Sequence, residues 1–492
     1  MTARAYPLAL ASGIVLALAW PSPDVAPLAW IAIVPLLVLA QEASARRAVL
    51  LGALFGMGFF GVLLLWISII GWVAWVLLVA LQASFIAAFA SAWSFIARRE
   101  RLGARLVLAP LLWVAVEYLR SRAPMGGFTW GQLAQGQHGV TWLLSLAALG
   151  GGWLVSAVVV LVNASLAEAW RGFRRKDRTP AMLVGLACVA LAAPALLPQG
   201  AATGRRVRVA IVQGNVPRSF EGSLFDKEVA IIRSHARLTK RLAGRDLDVV
   251  VWPESSVGLD LERTPAVAAL VGSAARAVDA PLIIGGNLDL GQDRYLVMAF
   301  EISPEGGVVD RYQKTHLVPF GEYVPARSLF DWIPMLDQVP RDAVAGTRPV
   351  LFEVAGGRVA PVISFEGDFG SLVRSRIARG GRLLVVATNT STWGTSAASA
   401  QHVAFSQVRA AENGVWVAHA ALSGISAFVA PRGVIVDSTP LWRATTLIQE
   451  LRFAAEVTFY ARTGDWLPLA AVVVSASALA AAAVRRKDRV AS

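Results

Sequence analysis

AMLVGLACVALAAPALLP, residues 181 to 198, and WLPLAAVVVSASALAAAAV, residues 466 to 484, contain no charged side chain, while the block from 199 to 465 between them is water-compatible. At 1.5 Å per residue, 18 helical residues span about 27 Å, close to a hydrocarbon core of about 30 Å. The two stretches therefore read as membrane spans bracketing a folded domain. Working outward, further apolar runs at 6 to 20, 27 to 41, 49 to 68, 71 to 97, 106 to 119 and 141 to 167 bring the expected number of spans to about eight. The first two are short and separated by Pro21, Pro23 and Pro27, so a hairpin partly entering the bilayer, or buried bundle helices, are open alternatives. With 492 residues, 56% of them hydrophobic, and a mean hydropathy of +0.56, one soluble domain is excluded. The expected fold is a multi-pass α-helical membrane bundle in residues 1–198, an inserted α/β domain in 199–465, and a final helix with a basic tail in 466–492.

Charge gives an independent reading of topology. Segments 1–5, 42–47, 98–105, 171–179 and 485–492 hold 16 Lys and Arg, whereas the short connections between them hold Arg120 and Arg122. Basic residues gather in cytoplasmic loops, so both chain ends are expected inside and residues 199–465 outside. These segments supply +12 of the formal net charge of +13. Basicity here reports membrane orientation, and a nucleic-acid partner does not follow. Cys188 is the one cysteine, inside the seventh apolar run. An intrachain disulfide, a thiolate zinc site and a thiol nucleophile in the outer block are thereby excluded, and Cys188 is expected to be a small buried hydrophobe. His138, His235, His316, His402 and His419 have no metal-ligand spacing, and no Gly-rich phosphate loop occurs. No metal and no cofactor are expected.

Inside the outer block, Val207–Val212, Val249–Trp252, Leu282–Gly285, Val359–Ser364 and Leu383–Thr388 read as buried strands. Lys227–Leu242, Pro265–Val278, Gly370–Arg379 and Ala400–Asn413 have helical spacing. An α/β sandwich with its site at the strand ends is the expected result. Glu254 and Ser364 follow or close such strands, and Lys314 falls in a loop between two of them. A carboxylate can act as general base, an ammonium can offset a tetrahedral oxyanion, and a hydroxyl can carry an acyl group. Equally, Pro253-Glu254 reads as a solvated turn, Lys314 as a surface loop residue and Ser364 as a helix cap. The residues alone leave both readings open.

Several segments carry a resemblance: Glu117-Tyr118-Leu119-Arg120 with Phe128-Thr129-Trp130, Val212 to Pro217, Val251-Trp252-Pro253-Glu254-Ser255, Lys314 to Pro325, Arg409-Ala410-Ala411-Glu412, and Tyr460 to Trp466. Through them the chain resembles, over nearly its whole length, the bacterial apolipoprotein N-acyltransferases. The resemblance implies an inner-membrane enzyme with an extracytoplasmic nitrilase-like (carbon-nitrogen hydrolase) sandwich of αββα layers. It also implies that a fatty acyl chain passes from a phospholipid donor to an enzyme nucleophile, then to the α-amino group of a diacylglyceryl-cysteine lipoprotein. Glu254 would then be the base, Lys314 the oxyanion residue and Glu322 the carboxylate that positions it. Glu366, Phe365, Asn389, Trp393 and His419 would lie at or near the site, and Phe225 would fall where the family places a substrate-contacting tryptophan. For Glu322 and Glu366 an ordinary loop-fixing salt bridge is the alternative.

The departures are local. Ser364 stands where the family has its nucleophilic cysteine, Phe365 where a tyrosine is usual, Thr390 where an aspartate is usual, and His419 and Leu422 replace an arginine and an asparagine. An alcohol is a far weaker acid than a thiol and must lose its proton as it attacks, so Ser364 demands a strong, aligned base. Clustered changes favour divergence over an engineered Cys-to-Ser replacement. Three functions stay open: N-acylation through an acyl-oxyester on Ser364, a catalytically inactive relative that binds lipoproteins or a partner enzyme, and a membrane-tethered amidase. Phe225, Phe330, Trp332, Ile333 and Met335 read either as core plugs or as an arm that admits acyl chains. Oligomeric state is not legible.

Overall fold

The structure, a computed structural model, describes residues 4–174, 179–196, 203–217, 219–329 and 334–491. The chain divides into two compact units, one of Met1–Gln199 with Thr463–Ser492 and the other of Gly200–Arg462. Phe330, Trp332 and Ile333 lie outside the described residues, as does the side chain of Met335.

The first unit is helical: α1 (Ala5–Ala17), α2 (Val34–Glu42), α3 (Ala45–Leu63), α4 (Trp72–Ala97), α5 (Leu102–Arg120), α6 (Thr141–Leu144), α7 (Ala147–Gly150), α8 (Gly152–Arg174) and α9 (Pro180–Ala192), completed by a C-terminal helix, Trp466–Ala491. Among the described residues five helices are long and apolar enough to cross a membrane: α3, α4, α5, α8 and the C-terminal helix. The runs at 6 to 20 and 27 to 41 form shorter helices around Pro21, Pro23 and Pro27, the run from 141 breaks at Gly151, whose φ is +68°, before its long helix α8 begins, and the run from 181, expected to span, is a shorter apolar helix over its described residues, Pro180–Leu196. Small residues let α3 approach its neighbours. A methyl at Gly52 would lie 2.5 Å from the Ile86 carbonyl oxygen, and one at Gly56 would lie 2.6 Å from Ala83 Cα. Cys188 departs from expectation: it is exposed on α9, because that helix buries only Leu183 and Ala187.

The segment after α5 is irregular yet buried from Phe128 to His138 except at the half-buried Phe128 itself, so its backbone groups need internal partners. Arg120 supplies two, donating to the carbonyls of Phe128 at 3.1 Å and Trp130 at 2.6 Å. Glu117 Oε1 accepts from the Leu133 N–H at 2.9 Å, and Gln135 Oε1 from the Gly131 N–H at 2.9 Å.

The second unit contains β1 (Arg206–Gln213), α10 (Leu224–Lys240), β2 (Val249–Val251), α11 (Pro265–Val278), β3 (Leu282–Gly291), β4 (Arg294–Ile302), β5 (Val308–Gln313), β6 (Asp342–Ala343), β7 (Phe352–Val354), β8 (Gly357–Ile363), α12 (Gly370–Ala378), β9 (Leu383–Thr388), α13 (Ala398–Asn413), β10 (Val417–Ala421), β11 (Ala427–Val429), β12 (Ile435–Ser438) and β13 (Thr445–Arg452). One sheet has the order β13-β1-β2-β3-β4-β5, with β6 against β4, and the other β12-β11-β10-β9-β8-β7. Each holds a parallel triplet, β1-β2-β3 joined by α10 and α11, and β8-β9-β10 joined by α12 and α13.

Alternation along the strands builds four layers. Val207, Val209 and Ile211 of β1 pack with Ile363, Leu383 and Val385 between the sheets, while Ala210 and Val212 pack with Ile232 of α10 and Val271 of α11. On the far side, Val362, Val386 and Val417 pack with Val373 of α12 and Val403 of α13. Strands buried on both faces read as continuous apolar runs, which is why β1 and β9 were recognisable. Each fully buried Val, Leu or Ile contributes about 1.5–3 kcal/mol. The result is the expected αββα sandwich, in which the parallel strands of both sheets deliver their C-terminal ends to loops, the usual place for a site in such folds.

Candidate active site

Glu254 follows β2 through Trp252 and Pro253 and is 8% exposed. Its turn runs hard against β3: a methyl at Gly285 would meet Glu254 Cα and the Pro253 carbonyl oxygen at 2.5 Å each. Lys314 was expected in a loop, but it directly continues β5, its N–H donating to the Val297 carbonyl of β4 at 2.9 Å. Strand pairing therefore fixes its backbone, and its side chain is fully buried.

The Lys314 ammonium donates to Glu254 Oε1 at 3.2 Å and to Glu322 Oε1 at 2.5 Å. Glu322 is itself held, its Oε2 accepting from the Val318 N–H at 2.8 Å. Burial alone would lower the Lys314 ammonium, but the charges of Glu254 and Glu322 outweigh it and leave it above the ordinary lysine value. Burial pushes the Glu254 carboxyl up; Lys314 pulls against that rise and the like charge of Glu322 adds to it. The group is thus a fixed cation between two carboxylates, one of them a raised and therefore stronger base.

Ser364, expected to close a strand, instead directly follows β8 as the first residue of a 3-10 turn, Ser364–Asp368, and is half-buried. Its φ is +47°, a left-handed conformation that costs a non-glycine residue about 1–3 kcal/mol and is retained mainly where the surroundings impose it. Its Oγ lies 3.1 Å from Thr388 Oγ1, at the end of β9. The next residue, Asn389, donates its backbone N–H to Glu254 Oε2 at 2.9 Å. The last residue of β9 and the one that follows it thus hold the Ser364 hydroxyl and the Glu254 carboxylate by separate hydrogen bonds, and Lys314 and Glu322 complete the group. Glu254, Lys314, Ser364, Glu322 and Asn389 are brought together.

Glu366 has a supporting place. It is fully buried and accepts from the N–H groups of Ile363 at 2.9 Å, Thr315 at 2.8 Å and His316 at 3.2 Å, and from Tyr312 Oη at 2.5 Å. Burial alone would raise this carboxyl; Arg376 and these hydrogen bonds hold it below the usual range. One carboxylate therefore staples the end of β8 to the residues just after Lys314. Phe365 packs edge-on against Phe369 at 4.9 Å and stacks on His316 at 5.6 Å.

The remaining expected residues are placed as follows. The Asn389 side chain turns to Ser391, accepting from its N–H at 3.0 Å and its Oγ at 2.7 Å, so its backbone alone reaches Glu254. Trp393 is half-buried in the turn after β9. His419 lies in the helix-facing layer, its Nδ1 2.8 Å from Ser406 Oγ. Phe225 is 55% exposed in the first turn of α10. Sequence reasoning missed Thr388, His402 and Asp368. His402 faces the Ser364 backbone and, under burial and the charge of Lys314, is lowered to about 4, so it is neutral at neutral pH. Its Nε2 lies 3.3 Å from Asp368 Oδ1, a carboxyl that burial raises well above the ordinary range. The position of Asp368 four residues beyond Ser364 was the available signal.

Comparison with known proteins adds the following. Residues 12–165 match the family described as apolipoprotein N-acyltransferase N-terminal domain, and residues 208–458 match the carbon-nitrogen hydrolase family. A protein of Geobacter metallireducens named apolipoprotein N-acyltransferase is 33% identical over 99% of this chain and 96% of its own length. Proteins with the same name from Gloeobacter violaceus and Mycolicibacterium smegmatis are 29% and 32% identical, over 94% and 87% of this chain and 92% and 76% of their own lengths. Among solved structures, an amidase from Nesterenkonia sp. matches over 53% of this chain and 94% of its own at 19% identity, with a TM-score of 0.39.

Proposed function

Because this chain belongs to the apolipoprotein N-acyltransferase family, we propose that it moves a fatty acyl chain from a membrane phospholipid to the N-terminal amine of a diacylated lipoprotein, through an oxyester on Ser364. The observation that carries this reading is that two consecutive residues hold both ends of the site: Thr388 bonds the hydroxyl of the strained Ser364, and the Asn389 N–H bonds the Glu254 carboxylate that Lys314 pairs. In the first half-reaction Ser364 Oγ attacks the acyl carbonyl while Glu254 takes its proton. The Lys314 ammonium offsets the oxyanion, and the lysophospholipid alcohol leaves with the proton from Glu254. In the second, the lipoprotein amine attacks the acyl-Ser364 ester and surrenders a proton to Glu254, which returns one to Ser364 Oγ. Splitting the transfer in this way replaces one difficult step by two easier ones.

The basic loops support a position for residues 200–462 on the extracytoplasmic side of the inner membrane. The test is incubation of the purified protein with labelled phospholipid and a diacylated lipopeptide. The expected result is an N-acylated product and a hydroxylamine-sensitive mass increase on Ser364, both absent in Ser364→Ala. No Ser364-dependent product would eliminate the reading.

One observation favours a second reading. Both Glu254 oxygens already accept hydrogen bonds, from Lys314 and from Asn389, and the Ser364 hydroxyl is bonded to Thr388 instead. A non-catalytic relative that holds lipoproteins or a partner enzyme would keep this arrangement at rest. It requires that Ser364→Ala leave the cellular phenotype intact.

A further inference from the structure

Thr388 is fully buried, so its hydroxyl cannot turn to water, and leaving it unbonded would cost the desolvation of a polar group. Among the described residues the hydrogen-bond partner of that hydroxyl is Ser364 Oγ, at 3.1 Å. The Thr388 backbone is held independently: it pairs with Ala421 in the parallel ladder, and its carbonyl accepts from the Leu422 N–H at 3.1 Å. Its side chain is therefore a rigidly mounted hydroxyl aimed at the nucleophile. Ser364, by contrast, is half-exposed on a strained turn, and its χ1 rotor has no hydrogen-bond partner for Oγ other than Thr388 among the described residues.

We propose that Thr388 is the positioning residue for an oxygen nucleophile at position 364: its hydroxyl fixes the rotamer from which Ser364 Oγ attacks and donates to that oxygen as its proton leaves for Glu254. The proposal rests on the acyl-ester reading given above. The step adds no reactant. The Ser364 O–H bond breaks towards Glu254, the O–C bond to the acyl carbon forms, and the Thr388 O–H stays intact throughout, changing only from shared partner to donor. Oxygen and sulfur differ here, because a hydroxyl is a strong hydrogen-bonding group and a thiol a weak one. The dependence on Thr388 should therefore be large when position 364 is Ser and small when it is Cys.

The test uses the full-length protein in nanodiscs and reads the single-turnover rate at which position 364 is acylated by labelled phospholipid. Thr388→Val keeps the shape and removes the hydroxyl; losing a bond to a charge-developing oxygen is expected to slow Ser364 acylation by about tenfold or more, with the phospholipid concentration dependence unchanged. Thr388→Ser keeps a hydroxyl and is expected to retain most of the rate. In a Ser364→Cys background, Thr388→Val is expected to cost about threefold or less. A wild-type rate in Thr388→Val, a Thr388→Ser rate as low as that of Thr388→Val, or equal losses in the Ser and Cys backgrounds overturns the proposal. If the unmodified protein never acylates Ser364, the acyl-ester reading itself fails and this inference falls with it, an outcome distinct from the three above.

Discussion

Glu322 and Glu254 share one ammonium, and in the proposed mechanism that sharing sets the pH at which Glu254 serves as the base. Glu254 accepts a proton only once ionised, and its carboxyl is raised by burial and further by the charge of Glu322. Activity should therefore climb as pH rises through that elevated value. Glu322→Gln removes the like charge and frees Lys314 to turn fully towards Glu254, and both changes lower the Glu254 carboxyl. The acid limb of the pH–rate profile is expected to move to lower pH, even though the maximal rate falls with the loss of Lys314 alignment. An acid limb that stays in place, or moves up, would show that another group governs it. At this scale the places of Glu254 and Lys314 at or between the ends of apolar runs left a solvated turn and a surface loop equally open, and only the resemblance of their segments singled them out. Thr388 was not singled out, since a β-branched residue closing a strand reads as an ordinary strand former; only coordinates reveal that its hydroxyl meets Ser364.

Between elements, the spacing of β2 and β3 decides where Glu254 sits. Gly285 leaves no room for a methyl group, which would lie 2.5 Å from Glu254 Cα. Gly285→Ala must push the Trp252–Glu254 turn away from β3, an overpacking cost of about 1–3 kcal/mol, and draw Glu254 off Lys314. Lower thermal stability together with a loss of acyl transfer is expected. Gly307→Ala is the control, because its methyl would approach Ser303 Oγ at 3.9 Å and is expected to change neither. Wild-type activity in Gly285→Ala would mean that the position of this turn does not govern acyl transfer. Elements with a clear buried pattern were read well from sequence: β9, buried along its whole length, and α11, buried along one stripe, have the bounds that periodicity assigned. The hairpin of β4 and β5 was not, since β5 lies at the sheet edge with Val308, Val309 and Arg311 exposed and has no buried run to recognise. That omission is what turned Lys314 into a loop residue on paper.

For the whole molecule, the distribution of basic loops predicts which surfaces face which compartment. With Cys188 replaced by Ala, single cysteines introduced at Arg432 in the sandwich and at Arg46 in the helical unit should behave oppositely in intact cells. A membrane-impermeant thiol reagent is expected to label position 432 and spare position 46; labelling of position 46 alone would invert the proposed orientation. The number of spans was less legible than their existence. Proline-broken and glycine-broken runs have the composition of membrane helices without the length, and composition is what a sequence displays most clearly.

The strand that leaves the sandwich runs antiparallel beside the one that enters it, Arg206 opposite Arg452, and the pairing continues outward as the Phe453 N–H donates to the Arg205 carbonyl at 2.9 Å and the Gly204 N–H to the Phe453 carbonyl at 3.1 Å. Neighbouring strands are about 4.8 Å apart, so the polypeptide departs almost where it arrived. The sandwich is in effect clasped by its own first and last strands, and because Ala461 beyond that clasp still packs into the layer under α12 and α13, a separately produced piece keeps both its clasp and its core only if it runs on to Arg462.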